Sequence, residues 1–144
     1  MGINLNLKII TPAKISFTGE VQSVTIPGTV GSFQILKDHA PLISTFEIGL
    51  LKVEKLDKTI DHYATCGGTV EVLNNEVMVL ADAIELAEEI DVERAEKAKQ
   101  RAEERLSTKE PSTDIERAQT ALKRAVNRLE IVEKYFAGLK TSVD

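Results

Sequence analysis

The 144-residue sequence predicts a β-then-α chain: an N-terminal β-sandwich of about ten short strands, then a C-terminal antiparallel α-helix hairpin. Three observations carry this. Residues 1–87 hold seven of the eight glycines, three of the four prolines and none of the six arginines, whereas residues 88–144 are rich in Ala, Glu, Lys and Arg. The first part alternates apolar and polar residues with a period of two, and the second steps its apolar residues by three and four. Turn formers interrupt the first part at intervals of roughly 8–12 residues, the spacing of sandwich or barrel strands.

In chain order, the runs LNLKIIT, AKISF, VQSVTI, SFQIL, LLKVEKL, TIDHYATC, TVEVL and EVMVLAD favour strands through their β-branched and aromatic content. Pro12, Gly19, Pro27-Gly28, Asp38, Gly49, Asp57, Gly67-Gly68 and Asn74-Asn75 separate them. The Asn pair marks the clearest hairpin, because Asn tolerates the positive φ of a tight turn. The grammar changes at LAEE, dividing the chain into domains 1–87 and 88–144. Beyond it, Val92, Ala95, Ala98, Ala102 and Leu106 line one helical face. Ile115, Ala118, Leu122, Ala125, Leu129, Val132 and Phe136 line a second. STKEPSTD lies between, with Pro111 ending one helix and Asp114 capping the next; Asp91 occupies the same capping place on the first. A mostly alanine stripe buries little apolar area, at roughly 25 cal/mol per Å². The hairpin is therefore expected to dock weakly and to be able to open or leave the β part.

Composition removes several function classes. No run of about 18 apolar residues exists, so no membrane span is expected. The start, MGINLNLKII, lacks a secretory cleavage pattern, and Asn6 stands where myristoylation wants Ser or Thr. The single cysteine, Cys66, excludes an internal disulfide and a multi-thiolate metal site, so an intracellular location is the default and Cys66 reads as a small buried hydrophobe. A net charge of −5 argues against general nucleic-acid binding. His39 and His62 are far apart with no further ligands beside them, so no metal is predicted. No Ser/His/Asp arrangement, catalytic carboxylate pair or Gly-rich phosphate loop appears. The chain alone is not expected to be an enzyme or to require a cofactor.

The arginines pose the remaining question, since all six fall between Arg94 and Arg128. Asp91, Arg94, Ala98 and Arg101 share one helical stripe. If Ala102 faces Ala118 across the hairpin, Arg94 falls between Arg124 and Arg128, and Asp91 approaches Arg128. Gathered guanidiniums repel unless acids or an anion join them, and their fork matches phosphate oxygens. Glu93, Glu96, Glu103 and Glu104 are the alternative partners, in surface pairs worth about 0–1 kcal/mol each. On spacing alone both readings stand, and solvated charged helices are the commoner outcome.

The stretches SVTIPGTVGSFQILKDHAPLIS and CGGTVEVLNNEVMVLAD, followed by the Ala/Arg/Glu hairpin, together resemble one family over essentially the whole chain. It is the epsilon subunit of bacterial F-type ATP synthase, equivalent to the mitochondrial delta subunit. The resemblance implies a sandwich, residues 1–87, that binds the gamma subunit and rests on the c-ring as part of the rotor. It implies contacts around Val30, Ser32, Phe33, His39, Ala40 and Pro41. Many members carry acids in the loop before the histidine; GTVGSF instead offers apolar contact through Val30 and Phe33. Residues 88–144 would be a regulatory arm, permitting ATP hydrolysis when folded down and inhibiting it when extended along gamma into the alpha/beta catalytic head. Some members bind ATP in the folded state through an Ile/Leu-Asp-x-x-Arg-Ala motif and second-helix arginines. IDVERA matches as Ile90, Asp91, Arg94 and Ala95, with Glu85 upstream and Arg101, Arg124 and Arg128 in matching places. The STKEPSTD loop is longer than in many such members. The resemblance further implies a peripheral place on the cytoplasmic face of the bacterial membrane, without insertion, and ATP as a regulatory ligand. Two alternatives remain: a purely mechanical arm without a nucleotide site, and an unrelated β-sandwich binding module with a helical oligomerisation segment.

Overall fold

The computed structural model describes residues 4–108, 110 and 114–136, and divides the chain into two compact units, Met1–Leu86 and Ala87–Asp144. Among the described residues the first unit contains seven strands: β1 Leu5–Ile10, β2 Ile15–Gly28, β3 Gly31–Ile35, β4 Leu42–Lys55, β5 Ile60–Leu73, β6 Glu76–Ala81 and β7 Ile84–Leu86. Three of them, β2, β4 and β5, are 14 residues long. Two change partners midway. The first half of β2 pairs with β1 and its second half with β3 and β4. β5 pairs with β7 through Thr65 and with β6 from Gly68 onward. Counting the long strands as two each gives the roughly ten short strands of a sandwich. Gly19, Gly49 and Gly67-Gly68, expected to separate strands, lie inside them, where the backbone bends without breaking. Bulges and glycines serve the same purpose wherever a sheet must turn a corner.

The strand order β1-β6-β5-β4-β2 closes on itself through an additional antiparallel β1–β2 pairing. β1 therefore lies between an antiparallel neighbour and a parallel one, β6. Closure removes the exposed edges that would otherwise recruit another chain, leaving the short β3 and β7 outside the ring. Alternation fixes what points inward: Leu5, Leu7 and Ile9 from β1, Val70 and Val72 from β5, and Val77 and Val79 from β6 are at most 2% exposed. With Val21, Val24, Ile26, Ile35, Leu51 and Val53 they form one core.

The second unit opens with a 3₁₀ turn, Ala87–Glu89, followed by α1 Val92–Ser107 and α2 Ile115–Tyr135. Both expected caps are present. The Arg94 N–H donates to Asp91 Oδ1 and the Arg117 N–H to Asp114 Oδ1, each at 3.0 Å. Caps of this kind contribute about 1 kcal/mol apiece. The stop assigned to Pro111 lies outside the described residues. Ala95 and Ala102 of α1 are buried, as are Ala118 and Ala125 of α2, and the two helices pack together. Leu106, Leu122 and Leu129 are only half-buried, and Ile115, in the first turn of α2, is 59% exposed. The middle of the seam is made of methyl groups, which lets the helices approach closely with little apolar area there, while Ile131 and Val132 are buried near the end of α2.

Candidate functional site

Two regions assemble the residues singled out from sequence, one in each unit. In the β unit, Gly28 pairs with Gly31, so Thr29 and Val30 form a two-residue tip between β2 and β3. Thr29 Oγ1 lies 2.9 Å from Thr45 Oγ1, anchoring the tip to β4, while the Val30 side chain is fully exposed. Ser32 is exposed, but Phe33 is half-buried and packs on the core. Of the two apolar candidates in GTVGSF, Val30 is the exposed one. His39 is half-buried, and Ala40 and Pro41 are exposed in the loop between β3 and β4.

Beside this loop lies a surface that the sequence reading did not single out. Ile43, Leu73, Met78 and Leu80 are 77, 50, 39 and 45% exposed. Register places Ile43 opposite Glu71, Glu71 opposite Met78, and Met78 beside Lys8 of β1. Leu80 stands two residues further along β6, on the same outer face. An open cleft of about 720 Å³ adjoins it, lined by Lys8, Thr18, Glu71, Leu73 and Met78 among others. The signal was present in VMVLA, an unbroken apolar run. A strand with one wet face alternates; one covered on both faces does not. In β6, Val77, Val79 and Ala81 fill the inner face, and Met78 and Leu80 occupy the outer.

In the second unit, an antiparallel register with Ala95 opposite Ala125 and Ala102 opposite Ala118 accounts for the four buried alanines of the two helices. It also accounts for the contact of the 3₁₀ turn with α2. This register sets Arg94 level with Val126, between Arg124 and Arg128, and sets Asp91 level with Leu129. Arg101 stands two turns along α1 from Arg94, about 10 Å at 1.5 Å per residue. Arg94, Arg101 and Arg124 are exposed and Arg128 is half-buried. The acids of the neutralising alternative do not take up these guanidiniums: Glu93 pairs with Lys97 at 3.2 Å. Among the described residues no carboxylate forms an ion pair with Arg94, Arg101 or Arg124. Ile90 and Ala95 are buried, so their part in the motif is to seat the start of α1. Glu85 belongs to the other unit, on β7. Among the described residues no group of His, Cys, Asp and Glu could hold a metal ion, and no helix is long and apolar enough to cross a membrane.

A closed β unit with an exposed apolar face, followed by an alanine-seamed hairpin, is the make-up of a subunit of a larger assembly. Residues 4–87 match the ATP synthase delta/epsilon chain β-sandwich domain, and residues 88–133 match the long α-helix domain of the same chains. The chain belongs to the ATP synthase delta/epsilon chain family. Within that family it is an epsilon chain, a non-catalytic subunit of an ATP synthase. It is 47% identical over 103 residues to the ATP synthase epsilon chain of Desulforamulus reducens, covering 72% of this chain and 77% of that one. The epsilon chain of Salinibacter ruber is 46% identical over 114 residues, covering 74% and 76%. Among solved structures, a chain of the Euglena gracilis mitochondrial ATP synthase OSCP/F1/c-ring assembly superposes with a TM-score of 0.77 at 22% identity, covering 88% of this chain and 80% of that one. A chain of the Tetrahymena thermophila mitochondrial central stalk and c-ring gives 0.54 at 15%, covering 91% and 95%. At these identities the two likenesses are ones of fold.

Proposed function

We propose that the β unit docks onto the gamma subunit through its outer β4–β5–β6 face and meets the c-ring through Val30 and the His39–Pro41 loop. It thereby couples ion-driven rotation to ATP synthesis from the cytoplasmic face of the membrane. The observation that carries this reading is the two-sided apolar strand β6. Its outer residues, with Ile43 and Leu73, make a patch that a partner would cover, as exposed apolar patches commonly require. Glu71 and Lys8 within it would set the partner's orientation. Replacing Ile43 and Leu80 together with Asp tests the assignment. Both side chains are already largely exposed, so the melting temperature of the isolated chain should change by only a few degrees. Affinity for a central stalk lacking this chain should fall at least ~30-fold, the scale of a lost interface anchor. Unchanged affinity would overturn the docking face.

We further infer that the hairpin is a mobile regulatory arm that inhibits ATP hydrolysis when extended toward the alpha/beta head and binds ATP when folded down. An alanine seam supports mobility, because little apolar area is lost when it parts. The arginines of α1 and α2 support the nucleotide, since no acid of the described residues neutralises Arg94, Arg101 or Arg124. Deleting residues 88–144 should raise ATP hydrolysis by the reconstituted complex severalfold. An unchanged rate after full incorporation would remove the brake from the reading.

A further inference from the structure

We propose that Asn75 is the positioning residue of the β3–β4 loop, fixing the surface offered by His39, Ala40 and Pro41. The inference rests on the reading of that loop as a docking element. Three segments distant in sequence meet at this asparagine. Its backbone carbonyl accepts from the Asn6 N–H at 2.8 Å, at the start of β1. Its side-chain oxygen accepts from the Asp38 N–H at 2.6 Å. Its side-chain amide donates to Asp38 Oδ1 at 3.1 Å.

Asp38 and Asn75 therefore form a reciprocal clasp, amide against backbone and carboxylate. Both hold left-handed backbone, at φ 64 and φ 62, a conformation that Asp and Asn adopt at less cost than other non-glycine residues. Among the described residues, these two bonds are the ones that tie Lys37–Ala40 to another element. The other bonds of the loop are internal. The His39 N–H donates to the Leu36 carbonyl at 3.2 Å, and His39 Nδ1–H donates to the Ala40 carbonyl at 2.7 Å. Pro41 has no N–H with which to anchor the next residue. The second internal bond fixes the ring with Nδ1 toward the Ala40 carbonyl. The clasp fixes the loop so that the imidazole and the two exposed apolar residues are held together.

Exchange of the two polar partners tests this in the full-length chain. In Asn75→Asp, a second carboxylate faces Asp38, so one bond is lost and like charges oppose each other. The expected result is faster hydrogen exchange at the Asp38 and His39 amides and about a tenfold loss of affinity for the central stalk and c-ring lacking this chain. Asp38→Asn keeps an acceptor for the Asn75 amide and should bind within about twofold of wild type, since no bond is lost. The double exchange, Asp38→Asn with Asn75→Asp, restores both bonds and should recover both exchange rates and affinity. A melting transition like that of wild type separates positioning from misfolding, because Asp is tolerated in the same backbone conformation. Unchanged amide exchange in Asn75→Asp would overturn the clasp. Altered exchange with unchanged affinity would overturn the loop as a docking element while leaving the clasp intact. A double exchange that fails to recover affinity would overturn the positioning role.

Discussion

Replacing Gly68 with alanine should severely destabilise the β unit. Gly68 sits on β5 where that strand passes from β7 to β6, with φ 152, and pairs with Ala81. A Cβ at this position would lie 2.0 Å from the Leu80 carbonyl oxygen and 3.0 Å from the Ala81 Cα. Both are backbone atoms of the neighbouring strand, so no rotamer change relieves the overlap. β6 would have to move away, and it carries Val77 and Val79 into the core and pairs with β1. The cost should exceed ~4 kcal/mol, a large share of the 5–15 kcal/mol by which domains are stable. Urea unfolding followed by circular dichroism provides the measurement. A midpoint shift of less than ~1 kcal/mol equivalent would show that the strand crossing is far softer than its geometry implies. Gly67, although at φ 100, would meet nothing nearer than the Phe46 carbonyl at 3.2 Å, so alanine there should cost less.

Titrating ATP into the full-length chain should give saturable heat that disappears when Arg94 and Arg124 are both replaced by alanine. The register of the buried alanines sets Arg94 level with Val126, about 3 Å along the hairpin from Arg124, and no acid of the described residues pairs with either. A triphosphate supplies the charge that would otherwise be missing, in a geometry the planar guanidinium fork accepts. Each charged hydrogen bond contributes about 1.5–3 kcal/mol, so each single substitution should weaken binding roughly 10- to 100-fold and the pair should take it beyond detection. Arg117→Ala, in the first turn of α2 and outside the proposed site, should leave affinity within about twofold. Absence of heat from the parent chain would remove the nucleotide and leave the arm purely mechanical. Binding that survives the double substitution would place the site elsewhere. Running the titration with and without Mg²⁺ shows which form of the nucleotide the arginines prefer.

What could be read from sequence divides by the range of the interaction. The caps were legible because Asp91 and Asp114 act within three residues, and the helical stripes because a face repeats every turn. The inward residues of β1 and of the second half of β5 follow from alternation, but those of β6 do not, since VMVLA is apolar on both faces. The lengths of β2, β4 and β5 did not, because Gly19, Gly49 and Gly67-Gly68 look like boundaries whether a strand ends there or bends there. Only the partner on the far side decides, and that partner is distant in sequence. β7, three residues long, has too few side chains to show a period. The outer apolar face lay in plain view as VMVLA, yet a continuous run does not say which neighbour covers its second side. Asn75 read as a turn residue, which it is. That its side chain also reaches Asp38 depends on β4 pairing with β5, Leu42 opposite Val72, and nothing local encodes it.

The parallel seam between β1 and β6 also places a delay in the making of the protein. Asn6 finds Glu76 about 70 residues later, and that interval takes roughly 4–14 s at the ~5–20 residues per second of synthesis. Until then a growing chain carries Leu5, Leu7 and Ile9 with one flank unpaired, the condition under which nascent strands seek the wrong neighbour. The hairpin emerges only afterwards, behind a β unit whose last ring strand has already been made.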